Sequence, residues 1–147
     1  MGICNGFQIL TECGLLSGAL LHNTSHKFIC KNTYLKAITK NTLVTNKYSE
    51  KAIKIPIAHG EGRFFADEKT LKSLVDNDQI LFKYSDENGD ITEQANPNGS
   101  LMNIAGICNN DRNVFGMMPH PERASDSELT NQDGKLLFKS ILNEVLA

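Results

Sequence analysis

The pentapeptide Gly2-Ile3-Cys4-Asn5-Gly6 constrains the fold of this 147-residue chain more than any other stretch. It has the form glycine, any residue, nucleophile, any residue, glycine. Glycines at those places permit a tight strand-to-helix turn around a strained central residue. Ile3 therefore reads as the end of a strand. Phe7 to Leu16 reads as the helix that follows, with Phe7, Ile9, Leu10 and Cys13 apolar and Gly14 as its expected C-cap.

The rest of the chain keeps alternating between the two periodicities. Phe28 to Ala37 is rich in β-favouring residues and predicts a strand or hairpin arm. Ile53 to Ile57 alternates Ile-Lys-Ile-Pro-Ile, so the isoleucines share a face, and Pro56 places this strand at an edge or an end. Asp67 to Val75 predicts a short helix with Asp67 as N-cap and Leu71, Leu74 and Val75 inward. Gln79 to Tyr84 predicts a strand closed by the turn residues Asp86 to Asp90. Asn96 to Ser100 reads as a loop. Ile104–Cys108 and Val114–Met118 predict two strands joined through 109–113. A last helix is expected from about Asp133 to Val145, with Leu137, Phe138, Ile141, Leu142 and Val145 on one side. Strands interleaved with helices point to an α/β fold with an antiparallel portion near Ile104–Met118. No repeat or linker divides the chain, so residues 1–147 are expected to form one domain.

Charge and composition narrow the function. A net charge of -2, with Lys and Arg scattered, gives no footprint for nucleic acid or an anionic membrane. No 18-residue apolar run predicts a membrane span, and the N-terminus lacks the pattern of a signal peptide. Cys4, Cys13, Cys30 and Cys108 include no C-x-x-C pair, so neither a metal site nor a redox dithiol is expected. Reduced thiols in the cytoplasm are the expectation, which leaves one free to act as a nucleophile.

Cys4 is that candidate. At a helix N-terminus the dipole and free N–H groups favour thiolate over thiol, and the N–H of Asn5 would face a developing oxyanion. A buried cysteine in a glycine-rich turn is the bland alternative. Gln8, one turn along the same helix face, is placed to reach a bound amide. The second signal is Met118-Pro119-His120-Pro121-Glu122-Arg123. A cysteine nucleophile needs a base, and the base needs an orienting acceptor. In extended backbone His120 and Glu122 would project to one side, and the flanking prolines stiffen the segment. Alone, this motif reads as a proline-rich loop with an exposed histidine; with the elbow present, the catalytic reading is preferred. His59, in Pro56-Ile57-Ala58-His59-Gly60-Glu61-Gly62-Arg63-Phe64, either lines a substrate pocket or forms a tight turn with a satisfied ring. His22 and His26 are expected to be solvated. Cys13, Cys30 and Cys108 are expected to be small core residues.

These motifs, with the lead-in Gly106-Ile107-Cys108-Asn109, resemble the triad-type glutamine amidotransferases. The Asn-Gly-Phe-Gln form of the elbow is similar to the glutaminase subunits of phosphoribosylformylglycinamidine synthases. The resemblance implies a flavodoxin-like, class I amidotransferase domain: a mainly parallel sheet with flanking helices and an antiparallel portion. It implies that Cys4 attacks the glutamine carboxamide to give a thioester, that His120 shuttles the proton and that Glu122 orients His120. Asn5, Gln8 and His59 would hold substrate. Ammonia would pass to a separate synthetase subunit that binds ATP and Mg, sometimes with a small third subunit, and this chain would need no cofactor or metal.

Members of this family carry strands, helices and a glycine-rich loop before the elbow, the loop supplying a second oxyanion donor. That segment is not in this sequence, so a domain truncated at its N-terminus is expected. Losing one such donor costs about 100- to 1,000-fold in rate. A fragment of a longer protein, a split-gene product and a decayed pseudoenzyme that only binds a partner all remain open. A cysteine hydrolase of similar elbow fold explains Cys4 but not the His-Pro-Glu pair.

Overall fold

The computed structural model describes residues 1–129 and 131–145, with side chains described through Leu142 in the last helix; Val145, expected on that helix's apolar face, lies outside them. In chain order the elements are β1 (Gly2–Ile3), α1 (Asn5–Glu12), β2 (Ala19–Leu21), β3 (Ile29–Ala37), β4 (Ile53–His59) and β5 (Arg63–Phe65). They continue with α2 (Glu68–Asp76), β6 (Ile80–Ser85), β7 (Ile104–Cys108), β8 (Phe115–Met117) and α3 (Lys135–Val145). Short 3₁₀ turns occupy Leu101–Asn103 and Pro121–Ala124.

Six strands form one sheet in the order β1-β8-β7-β6-β3-β4, and β2 pairs with β5 in a separate ribbon. Only β1 and β8 run parallel, with Gly2 opposite Gly116; the other neighbours in the large sheet are antiparallel. The α/β class is as expected, but the mainly parallel sheet is not. Parallel neighbours need crossovers of a dozen or more residues, usually helical. Here β7 meets β8 through a connection too short for a crossover, which leaves antiparallel pairing, and the longer β6–β7 connection carries only a 3₁₀ turn and no crossover helix.

Both faces of the large sheet are covered. Leu35, Ile55, Ile57, Phe82 and Tyr84 build one core, against which Leu137, Phe138 and Ile141 of α3 pack. Phe7 of α1 and Leu74 of α2 join Phe64, Ile104, Ile107 and Met118 in the other. The isoleucines of β4 alternate buried with half-buried neighbours, as period-2 patterning demands. Asp67 caps α2 by accepting the Thr70 N–H at 2.7 Å.

Several side chains face the other way from their expected direction. The first helix starts at Asn5 and ends at Glu12, so Ile9 and Cys13 are exposed and Phe7 and Thr11 carry its buried face. Val75 and Leu142 are also exposed. Cys30 lies on the outer face of β3, and of the three expected core cysteines only Cys108 is buried. Helical positions one residue off a narrow apolar stripe swing about 100° around the axis, enough to move a side chain from core to solvent.

The curl of the sheet places the site. At about 4.8 Å per strand spacing, a flat six-stranded sheet would hold its edge strands roughly 24 Å apart. Yet Cys4 Sγ, just past β1, lies 3.7 Å from the Ala58 carbonyl oxygen at the far edge strand β4. The two edges converge at this corner. The outer edge of β4 is also occupied: Pro56 O accepts the His120 N–H at 2.8 Å and the Lys54 N–H donates to Asp133 at 2.7 Å. The chain leaving β8 thus crosses to β4 and docks there.

Candidate active site

Cys4 has φ 53° and ψ -109°, a left-handed conformation that a non-glycine residue adopts only under constraint. Two anchors impose it. The Cys4 N–H donates to Met117 O at 2.8 Å, while the Cys4 carbonyl accepts the Phe7 N–H at 2.9 Å and opens α1. Gly2 lets the helix come this close, since a Cβ there would sit 2.5 Å from the Gly6 carbonyl group and 2.7 Å from Leu10. A Cβ at Gly6 would meet open space, so of the two elbow glycines only the first is demanded by packing.

The sulfur is buried, and its thiol points at the Ala58 carbonyl and at Asn5 Oδ1, 3.8 Å away. Burial pushes its pKa up; the Asn5 backbone N–H and the Arg123 charge pull it down, and Glu122 pushes it up. The expected preference for thiolate is therefore absent from this state. Desolvation of the charged form outweighs the helix start, and the sulfur rests as a thiol that needs a base.

The imidazole of His120 is held on the far side of the same pocket by the Pro56 contact. Its Nδ1 donates to Glu122 Oε1 at 2.5 Å, and its Nε2 is buried with no hydrogen-bond partner. Glu122 reaches the ring from the first turn of the 3₁₀ segment, not from extended backbone; Pro121 initiates that turn. The carboxylate is about half exposed, and Arg123 Nε lies 3.8 Å from it.

A cleft of about 580 Å³ brings Cys4, Asn5, Gln8, His59, His120 and Arg123 together. Gln8 does not point freely into it: its Nε2 donates to Glu61 O at 2.7 Å. His59 combines a place on the cleft with a tight turn, but its ring is only half satisfied, since Nε2 is buried without a hydrogen-bond partner. It lines the cleft, and its Nδ1 is paired with Asn23 Oδ1 at 3.0 Å inside the tight Gly60–Gly62 turn. Burial holds its pKa down at about 4, with the nearby His120 adding to the effect. His22 is exposed and 3.4 Å from Glu61, and His26 is exposed.

Sequence reasoning missed three contributors. Arg123 was visible beside the His-Pro-Glu motif but carried no assigned task. The Ala58 carbonyl is a backbone group with no sequence signature. Asn23, fully buried under the cleft, sits in a stretch that reads as a polar loop. Among the described residues, no group of three or more His, Cys, Asp or Glu side chains is placed to hold a metal ion, and no helix is long and apolar enough to cross a membrane.

A cysteine at a strand-to-helix elbow in a two-faced α/β sheet defines the class: elbow-bearing α/β domains. Within that class the chain belongs to the glutamine amidotransferases, since the profile of the CobB/CobQ-like glutamine amidotransferase domain matches residues 1–137. It is 50% identical over 146 residues to the phosphoribosylformylglycinamidine synthase subunit PurQ of Chlorobium luteolum. It is 54% identical over 146 residues to that of Methanosarcina barkeri and 55% identical over 148 residues to that of Acaryochloris marina. These alignments cover 99 to 100% of this chain and 63% of each relative, so the chain spans less than two thirds of their length. Among solved structures, PurLQS from Thermotoga maritima superposes with TM-score 0.81 at 45% identity, covering 99% of this chain and 61% of that one. A glutamine amidotransferase from the same organism shares the fold at TM-score 0.51 and 14% identity, covering 99% of this chain and 47% of that one.

Proposed function

We propose that this chain hydrolyses glutamine to glutamate and ammonia from Cys4, and that the ammonia serves a phosphoribosylformylglycinamidine synthase in the cytoplasm. The observation that carries this reading is the meeting of Cys4 and His120 in one cleft, with Glu122 paired to the ring nitrogen that faces away from it. In this scheme His120 Nε2 takes the Cys4 proton as Sγ attacks the carboxamide carbon. The tetrahedral oxyanion is met by the Asn5 N–H. As the C–N bond breaks, His120 returns the proton to the departing nitrogen, and ammonia leaves a glutamyl thioester. Water, deprotonated by the same ring, then releases glutamate and restores the thiol. A Cys4 that rests as a thiol fits this order, because the base acts only when substrate is present.

Residues 1–147 act here as the elbow-to-last-helix part of the domain, with Gln8 and His59 among the substrate contacts. The partner is a synthetase subunit that binds ATP and Mg, with a small third subunit in some assemblies, and the likeness to PurLQS of T. maritima supports the synthetase partner. The decisive experiment measures glutamate release from glutamine by the chain with its synthetase partner. Cys4→Ala should reduce turnover by about 10⁴-fold or more. A glutamine-like diazo ketone should modify Cys4 and spare Cys13, Cys30 and Cys108; modification spread over all four would overturn the assignment.

A further inference from the structure

Asn23 belongs to none of the sequence motifs, yet it is the most completely bonded side chain near the cleft. Its Nδ2 donates to Lys27 O at 2.9 Å and to His59 O at 2.8 Å, which uses both amide hydrogens. That fixes which end of the amide is oxygen. Oδ1 accepts the Gly62 N–H at 3.2 Å and faces His59 Nδ1 at 3.0 Å. An amide oxygen cannot donate, so the imidazole proton sits on Nδ1. His59 Nε2 therefore carries only a lone pair. This atom is buried and has no hydrogen-bond partner, and the residue that carries it is 97% shielded from solvent yet lines the cleft. Gly62 packs against the ring so closely that a Cβ there would overlap it.

A buried acceptor without a donor costs about 1–3 kcal/mol, a cost that a bound N–H removes and a bound oxygen anion worsens. The strand end that carries this ring also carries the Ala58 carbonyl, 3.7 Å from Cys4 Sγ, so the ring borders the reacting end of whatever the sulfur attacks. We propose that Asn23 is a positioning residue that locks His59 as a pure hydrogen-bond acceptor, so that the cleft selects a carboxamide and rejects the carboxylate made from it. This rests on the glutaminase reading above and deepens it. Glutamine presents an N–H to Nε2. Glutamate, once formed, presents an oxygen to the same lone pair and is expelled, so one atom serves both recognition and release. The low proton affinity of His59 keeps the lone pair free at neutral pH.

The test uses the full chain with ¹⁵N-labelled histidine and Cys4→Ser to prevent turnover. Nitrogen shifts should show His59 protonated at Nδ1, and L-glutamine should shift the Nε2 resonance while L-glutamate leaves it unmoved. Asn23→Asp supplies a carboxylate that stabilises an imidazolium, so Nε2 gains a proton and the preference for glutamine over glutamate should narrow at least tenfold. A merely structural Asn23 would change stability without moving that ratio. A proton on Nε2 in the free chain, or bound glutamine that leaves Nε2 unshifted, overturns this inference and leaves the glutaminase reading standing. Glutamine that perturbs no residue of the cleft overturns both.

Discussion

Two imidazoles share one cleft and are made different by what stands behind each. His120 has a half-exposed carboxylate at its Nδ1; His59 has a buried amide oxygen. Both rings present a bare, unpartnered Nε2. A carboxylate stabilises the imidazolium formed when a ring accepts a proton, whereas an amide oxygen orients the ring and adds no charge. In the proposed reading the same side chain serves once as a proton carrier and once as a fixed acceptor. The partner atom decides the chemistry, not the histidine.

The sharpest way to break this comparison is to remove each ring in turn. His120→Ala should lower glutaminase kcat by about 10⁴-fold. His59→Gln should act mainly on KM, raising it about 10- to 100-fold with kcat much less affected. Steady-state glutamate release reads both, and equal losses in kcat would erase the distinction. Glu122→Gln should lower kcat by roughly 100-fold, less than the 10⁴-fold cost of losing a buried orienting carboxylate, because solvent already reaches this one.

A smaller effect concerns stability. His59 titrates near 4 when folded and near 6.5 when unfolded, so between those values the unfolded chain binds more protons. Stability should therefore rise with pH through this window, by about 3 kcal/mol in all, and be lost as pH falls towards 4. Urea melts at pH 4.5 and 7 should show the difference, and His59→Gln should flatten it. The smallest effect is a ranking of thiols. At pH 7, iodoacetamide should modify the exposed Cys13 and Cys30 about tenfold faster than Cys4, whose burial disfavours the thiolate. Peptide mass analysis over time reads the order, and glutamine should slow only Cys4.

The parts legible in the sequence were those set by neighbouring residues. Glycine at position 2 announced the elbow, Asp67 its helix start, and the Ile53–Ile57 alternation with Pro56 an edge strand with one buried face. The two motifs that meet in the cleft were also readable. What was not readable depended on long-range closure. No local pattern shows that the sheet curls until Ala58 meets Cys4, or that Asn23 in a run of Asn, Thr and Ser is buried rather than solvated. The thiol state of Cys4 was missed for the same reason, since the helix start is local and the desolvation that outweighs it is not.

The convergence of β1 and β4 ties this cleft to the slowest events of folding. Gly2 pairs with Gly116, and the sulfur beside that pair must find a carbonyl on a strand separated from it by most of the sheet. Such distant pairings carry the largest loop-closure entropy and form late. Labelling of Cys4 by the glutamine-like diazo ketone, which needs the assembled cleft, would then emerge only when the whole sheet has closed, so its rate in a refolding chain is a clock for the final step.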